Sequence, residues 1–360
     1  MVAQRRQCPW GWSTAVCKAS VVAATVQSWR VSCSVIISNR NGVCSVFEPS
    51  QYELVDFGAG RKLERFGTEL LDRPSPAAVG IAIADPGLWG EASARFELDR
   101  SGKGQWSEGV SRASSAGVGG MPWSVHHGDS RLLMQLGASG NVGLFPEQAG
   151  NWDWIANQVG QCHRSLVSGR PRVLNLFAYT GGASLAAAIA GAEVTHVDSS
   201  GPTVAWAKRN AEASGIADLP TRWLVEDAMK FMEREYRRGN YYHGVIADPP
   251  TYGHGPNGRP FKFSQHLGEL MELCGKLLGV SVGALSDTHT QMVNPLISRR
   301  FFLFSCHAPG FGPTEAELAV SRVLQDSGGA QIMGRTLVLE SRDERKLNAG
   351  VAVRWSAPAR

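Results

Sequence analysis

The sequence predicts an α/β protein: a doubly wound, mostly parallel sheet closed by an antiparallel pair, preceded by a smaller N-terminal α+β domain. Three observations carry this. From Arg172 onward, short apolar strands alternate with helical segments, the pattern of a parallel sheet covered on both faces. Between 48 and 150 the apolar runs are short and punctuated by Gly and Pro, as antiparallel strands are. The length of 360 residues suits two or three units at about 100–200 residues each.

The elements follow in order. Residues 1–47 contain no acid before Glu48 and are rich in Ser, Val, Ala and Arg. That is the composition of an organelle transit peptide, with a disordered tail as the alternative, so it is set aside from the fold. In the accessory domain, 48–150, strands are expected at Tyr52–Phe57, Lys62–Phe66, Glu69–Asp72 and Ala94–Leu98. A Gly- and Ser-rich loop follows at 101–120, then strands at Trp123–His127, Arg131–Leu136 and Val142–Phe145. The spacing of Trp152, Ile155, Val159 and Leu166 predicts a helix over Asn151–Leu166, the start of the second domain, 151–360. There the expected strands are Arg172–Ala178, Glu193–Val197, Thr221–Val225, Tyr242–Ala247 and Phe301–Ser305. The expected helices are Gly182–Ala190, Thr203–Ser214, Ala228–Arg237, Phe263–Leu278 and Thr314–Gln325. Thr336–Glu340 and Gly350–Arg354 close the sheet. Gly279–Arg300 is far longer than the two to six residues of an ordinary helix-to-strand connection and reads as a disordered insertion.

Composition narrows the classes. At 43% hydrophobic and 19% charged, the chain is neither fibrous nor wholly disordered. No apolar run approaches the roughly 20 residues of a membrane-spanning helix. The net charge is +4, but five positive charges precede Glu48, so residues 48–360 carry −1, the total less five. Bulk charge therefore does not itself argue for a nucleic-acid partner. Four of the seven cysteines lie in the first 47 residues. The other three, Cys162, Cys274 and Cys306, are far apart, so no metal centre is expected and a reducing compartment suits them.

Four features then mark one edge of the sheet. The first long strand runs into Asn175-Leu-Phe-Ala-Tyr-Thr-Gly181-Gly182-Ala-Ser. A glycine pair between strand and helix lets a ligand approach the backbone, although a tight structural turn explains it equally well. Asp198 ends the next strand, where a carboxylate can accept ribose hydroxyls; a helix N-cap is the alternative. Asp227 follows the third strand, placed to hold an adenine amino group or, equally, to cap a helix. Asp248-Pro249-Pro250-Thr251-Tyr252-Gly253 ends the fourth. Its prolines stiffen the turn and leave carbonyl and carboxylate acceptors, and Tyr252 can stack on a base. Such groups can orient a planar nitrogenous target for in-line attack on a methyl sulfonium. The third glycine of a nicotinamide-binding turn is missing, since position 184 is Ser.

On these segments the sequence resembles class I S-adenosylmethionine-dependent methyltransferases with their seven-stranded Rossmann-like sheet. Within them it is similar to the bacterial large-subunit ribosomal RNA methyltransferase family with cytosine-C5 and guanine-N7 members. Val197-Asp198, Glu226-Asp227-Ala228 and Gly143-Leu-Phe-Pro-Glu-Gln148 add to the likeness. It implies S-adenosylmethionine against Tyr179, Thr180, Gly181 and Gly182, with Asp198 on the ribose and Asp227 near adenine. It also implies that Asp248 and Pro249 line the methyl-transfer site and that Phe145 and Gln148 close over the cofactor. The RNA-binding PUA domain of some relatives is not recognisable.

Methylation at cytosine C5 needs a cysteine to activate the ring, and Cys306 ends the fifth strand. A buried small hydrophobe is the alternative, as a satisfied histidine is for His307 as a base. A nitrogen target needs no nucleophile. The expected function is therefore methyl transfer from S-adenosylmethionine to a base of ribosomal RNA, in a plastid or mitochondrion, with a cytoplasmic location as the alternative. Other readings are a small-molecule or protein methyltransferase and a cofactor-binding RNA assembly factor without catalysis.

Overall fold

The computed structural model describes residues 47–100, 103–107, 123–254, 260–280, 299–324 and 329–359. The expected transit segment, apart from Phe47, lies outside the described residues. So do 281–298 of the expected insertion and most of the 101–120 loop.

The first strands form a sheet ordered β1 (Tyr52–Gly58), β2 (Arg61–Phe66), β3 (Glu69–Pro74), β4 (Ala94–Leu98), β5 (Gly104–Trp106). All pairs are antiparallel except β3 with β4. Among the described residues, the strand inside the expected 101–120 loop is β5. A separate hairpin, β6 (Ser124–His127) with β7 (Ser130–Leu133), follows. Val142–Phe145, expected as a strand, is irregular. Gly143 sits at φ +91° and its carbonyl accepts from the Thr180 hydroxyl, so no strand partner can take that position.

Helix α1 (Ala149–Ser165) leads into β8 (Arg172–Leu176), α2 (Gly182–Ile189), β9 (Glu193–Asp198), α3 (Gly201–Ala213) and β10 (Thr221–Val225). Then come α4 (Ala228–Arg237), β11 (Gly244–Ala247) and a short hairpin, β12 (Tyr252–His254) with β13 (Pro260–Lys262). Last are α5 (Phe263–Leu277), β14 (Arg300–Cys306), α6 (Pro313–Ser321), β15 (Gln331–Glu340) and β16 (Lys346–Ala357). Helix α3 starts two residues before its expected position because Ser200 caps it and Pro202 occupies its first turn.

The second sheet has seven strands in the order β10-β9-β8-β11-β14-β16-β15, parallel except where β16 runs against both neighbours. It is the doubly wound sheet with a closing antiparallel pair that the alternation implied. Side chains alternate between its faces. Val173, Ile246 and Leu303 join Ile155 and Val159 of α1 and Leu185 of α2 in one core. Leu174, Val245, Phe302 and Phe304 join Phe231 of α4, Leu270 of α5 and Ala316 of α6 in the other. The first core runs across position 150, for Tyr52, Phe66 and Trp123 belong to it with Trp152. Among the described residues no helix is long and apolar enough to cross a membrane.

Candidate functional site

The carboxyl edge of the seven-stranded sheet carries every marked residue, because the chain reverses there after each parallel strand. The turn after β8 is the most constrained. Phe177 and Tyr179 adopt φ of 53° and 50°, and Gly181 adopts 91°. Left-handed backbone at non-glycine residues costs on the order of 1–3 kcal/mol each and persists only where neighbours hold it. Here they do. The Tyr179 N–H donates to Asp198 Oδ2 at 2.9 Å, and the Thr180 hydroxyl donates to the Gly143 carbonyl at 2.8 Å. Asn210 donates to the Thr180 carbonyl at 2.9 Å. Gly181 is required by its φ. Gly182 has a different reason from ligand approach: a Cβ there would lie 2.4 Å from the Trp152 indole. That glycine exists so that α1 and α2 can touch.

Asp198 accepts from two main-chain N–H groups, those of Tyr179 and Ser200, both at 2.9 Å. Burial pushes its carboxyl up, against the pull of those two bonds. It does not cap α3, since the Ser200 hydroxyl takes the Thr203 N–H. Asp227 does act as a cap, accepting the Lys230 N–H of α4 at 3.0 Å.

On the other side, Asp248 follows β11 and its carboxyl is pushed up by burial, with His307 and Ser305 opposing. Gln148 donates from Nε2 to Asp248 Oδ2 at 3.3 Å and to the Ser305 hydroxyl at 3.2 Å. The orientation of that amide follows from chemistry. The Arg354 guanidinium can only donate, so the oxygen of Asn151 faces it, at 3.0 and 2.8 Å. The Asn151 NH2 must then face Gln148 Oε1, at 2.7 Å, and the Gln148 NH2 must face Asp248 and Ser305. Three side chains thus fix where the Asp248 carboxylate sits. Nearby, the Phe145 ring lies 5.2 Å from Tyr179 and 5.9 Å from His307, and His307 is 3.5 Å from buried Glu147.

One pocket gathers Phe145, Gln148, Tyr179, Thr180, Gly181, Gly182 and Asp248, together with Asn175, Ile246, Leu303 and Ser305. Pro249 is buried next to Asp248 in the chain. Asp198 and Asp227 stand at the same edge outside its lining, and Tyr252 is 53% exposed on β12. Cys306 departs most from expectation. Strand alternation turns Ser305 into the pocket and Cys306 into the second core, where it is 1% exposed and its thiol is pushed up to about 11 by burial. A thiol so placed is a packed hydrophobe rather than a ready nucleophile. Sequence reasoning missed Ser305, Asn151, Arg354 and Trp152. Only Ser305 had a signal, its place one residue before a suspected cysteine on a strand.

A carboxylate, an oriented amide and an apolar-walled turn can hold a nucleoside beside a cationic centre. Comparison with known proteins agrees. A family model described as S-adenosylmethionine-dependent methyltransferase matches residues 113–301. The solved SAM-dependent methyltransferase from Agrobacterium tumefaciens is 32% identical, with a TM-score of 0.70, covering 85% of this chain and 90% of that one. A ribosomal RNA large subunit methyltransferase K/L from Alcanivorax borkumensis is 32% identical over 148 residues, 41% of this chain and 19% of that protein. A ribosomal RNA large subunit methyltransferase I from Photobacterium profundum is 35% identical over 126 residues, 34% of this chain and 28% of that protein. The match thus spans under a third of either of these two. The likeness to the Agrobacterium protein runs nearly end to end, and the family model spans more than half of the sequence: this chain belongs to the S-adenosylmethionine-dependent methyltransferases.

Proposed function

We propose that the chain methylates a base of large-subunit ribosomal RNA, at a nitrogen rather than a carbon. The names of the partial relatives support the RNA. The placement of Ser305 and Cys306 carries the choice of atom, because ring activation for carbon methylation needs a thiolate in the pocket.

The pocket residues fit the cofactor. Leu132, Leu144, Ile246 and Leu303 offer apolar walls for a purine and thioether, and Asp248 offers a carboxylate for a cation. S-adenosylmethionine, when bound, supplies an electrophilic methyl on a sulfonium. In this reading the Tyr179–Gly182 turn presents main chain to the nucleoside. Asp198 keeps second lone pairs for ribose hydroxyls while its first are taken by Tyr179 and Ser200. Asp227 stands toward the adenine edge, and Phe145 closes over the pocket. Asp248, held by Gln148 and backed by Pro249, aligns the acceptor nitrogen, so that orientation supplies most of the rate.

The test is transfer of labelled methyl to unmodified large-subunit ribosomal RNA transcripts. Wild type should label them, and Asp248→Ala should reduce labelling by about a hundredfold or more. Asp198→Ala should weaken S-adenosylhomocysteine binding about ten- to hundredfold. A chain that binds S-adenosylhomocysteine but labels no RNA would move the acceptor to a small molecule or protein, which the charge of −1 over 48–360 favours. Residues 1–47 are proposed as a plastid or mitochondrial address, tested by whether they carry a fluorescent protein into either organelle.

A further inference from the structure

A second compartment adjoins the cofactor pocket. Its walls come from the five-stranded sheet (Lys62, Arg73, Phe96) and from the irregular stretch that includes Ser139, Leu144 and Phe145. Its cavity volume is about 200 Å³, open to solvent at the mouth. Leu144 and Phe145 line both spaces, so a ligand in each would touch the same two side chains.

Its charge is unequal. The fully buried Glu64 carboxylate accepts from Arg73, from Lys62 at 3.1 Å and from the Tyr52 hydroxyl at 3.0 Å. Arg73 also donates to the Gly140 carbonyl at 3.1 Å, which commits it to holding the wall. Two cations therefore meet one carboxylate, and among the described residues Lys62, 18% exposed, pairs with Glu64 through one of its three protons. The other carboxylate close by, Glu147, lies 3.5 Å from His307, and burial pushes its carboxyl up. A surplus positive charge beside an aromatic ring suits a nucleotide, whose phosphate is anionic and whose base stacks.

We propose that this compartment receives the acceptor nucleotide of a single-stranded RNA, its base against Phe145 and its phosphate toward Lys62. This rests on the reading that the acceptor is RNA. A nucleobase must leave its stack to reach a cofactor inside a protein, and a preformed space one side chain from the methyl donor gives it a place to go.

Two variants test it on the full chain, with unmodified large-subunit ribosomal RNA transcripts as probe. Ser139→Trp places a large ring in the compartment from an exposed position on its lining. It should cut methyl transfer at least about tenfold and leave S-adenosylhomocysteine affinity and melting temperature as in wild type. Lys62→Gln should raise the KM for RNA and lower the slope of log Kd against log salt by about one, with kcat little changed. Wild-type transfer by Ser139→Trp, or an unchanged salt slope in Lys62→Gln, would overturn the assignment while leaving RNA as acceptor. Failure of the wild-type protein to label any RNA would overturn the RNA reading and this assignment with it.

Discussion

The two halves of the pocket are built by different means. The half beside Asp198 is framed mainly by main chain: the N–H groups of Tyr179 and Ser200 reach Asp198, and left-handed backbone shapes the turn between, braced by the Thr180 hydroxyl and the Asn210 amide. The half beside Asp248 is held by side chains. Asp248 takes its position from Gln148, Gln148 from Asn151, and Asn151 from Arg354, 203 positions away in sequence. A main-chain frame is indifferent to most side-chain changes and fails where Cβ atoms cannot fit. A side-chain relay fails at single atoms, without any loss of fold. Changes to the two halves should therefore separate stability from turnover.

The largest effect is expected in the main-chain half. Gly182→Val would drive a branched side chain into the Trp152 indole, where even one carbon lies at 2.4 Å. Overpacking of this kind costs about 1–3 kcal/mol, and the overlap here puts it at the upper end. Denaturant unfolding measures it, and Trp152→Ala in the same chain should return part of the loss. If Gly182→Val melts like wild type yet loses S-adenosylhomocysteine binding, the glycine serves the ligand instead of the helix contact.

Asn151→Asp comes next and belongs to the relay. The substituted carboxylate keeps the Arg354 guanidinium but has no N–H for Gln148 Oε1, so the Gln148 amide turns its oxygen toward Asp248. Methyl transfer should fall about ten- to hundredfold, or roughly 1.4–2.7 kcal/mol in barrier, with the melting temperature held by the new ion pair. Equal turnover in the variant would mean that Asn151 only packs.

This difference also explains what could be read from sequence. Asp198, Asp248-Pro-Pro and the glycine turn stand at strand ends, so local order placed them at one edge before any contact was known. Asn151 and Arg354 carried no such mark, being an ordinary helix residue and an ordinary strand residue joined only by the fold. The sequence leaves Cys306 open between nucleophile and buried hydrophobe, and leaves Ser305 unmarked, because all seven residues of β14 are buried and no polar alternation reveals which side chain faces which side. Val142–Phe145 looks like a strand because it is apolar, but Leu144 and Phe145 wall pockets and the Gly143 carbonyl serves the neighbouring turn.

The acids contrast in the same way, with an effect smaller again. Glu64, held by Arg73 and Lys62, has its carboxyl lowered despite burial. Its stabilisation is present above the ordinary value near 4.5 and is lost as pH falls through its folded value. Asp248 is raised, so its contribution is complete below the ordinary 3.8 and is lost as pH rises through its folded value. Asp248→Asn should therefore stabilise the cofactor-free protein at pH 7, and that gain should shrink as pH falls toward 3.8. Melting temperatures of the pair across this range decide it. A gain that does not change with pH would show that Asp248 is not the strained acid of the pocket.

Cys306→Ala should have the least effect on turnover, and it sets the boundary of the half beside Asp248. The sulfur lies in the second core among Leu176, Ala247 and Phe304, with its thiol held protonated by burial and by the nearby Asp248 charge. Removing it takes away one buried atom of apolar contact, about 1 kcal/mol of stability, and should leave methyl transfer where it was. If the thiol were the group that adds to a pyrimidine ring, the same change would abolish turnover, because no other cysteine among the described residues reaches the pocket. The acceptor atom would then be a carbon, and β14 would have to present its 306 side chain to the pocket during catalysis. Cys306 is paired to Val351 of β16 and β14 is buried along its whole length, so that turn would break the end of this ladder and expose the second core. On the proposed reading, the identity of the methylated atom follows from which side chain of β14, Ser305 or Cys306, faces the pocket.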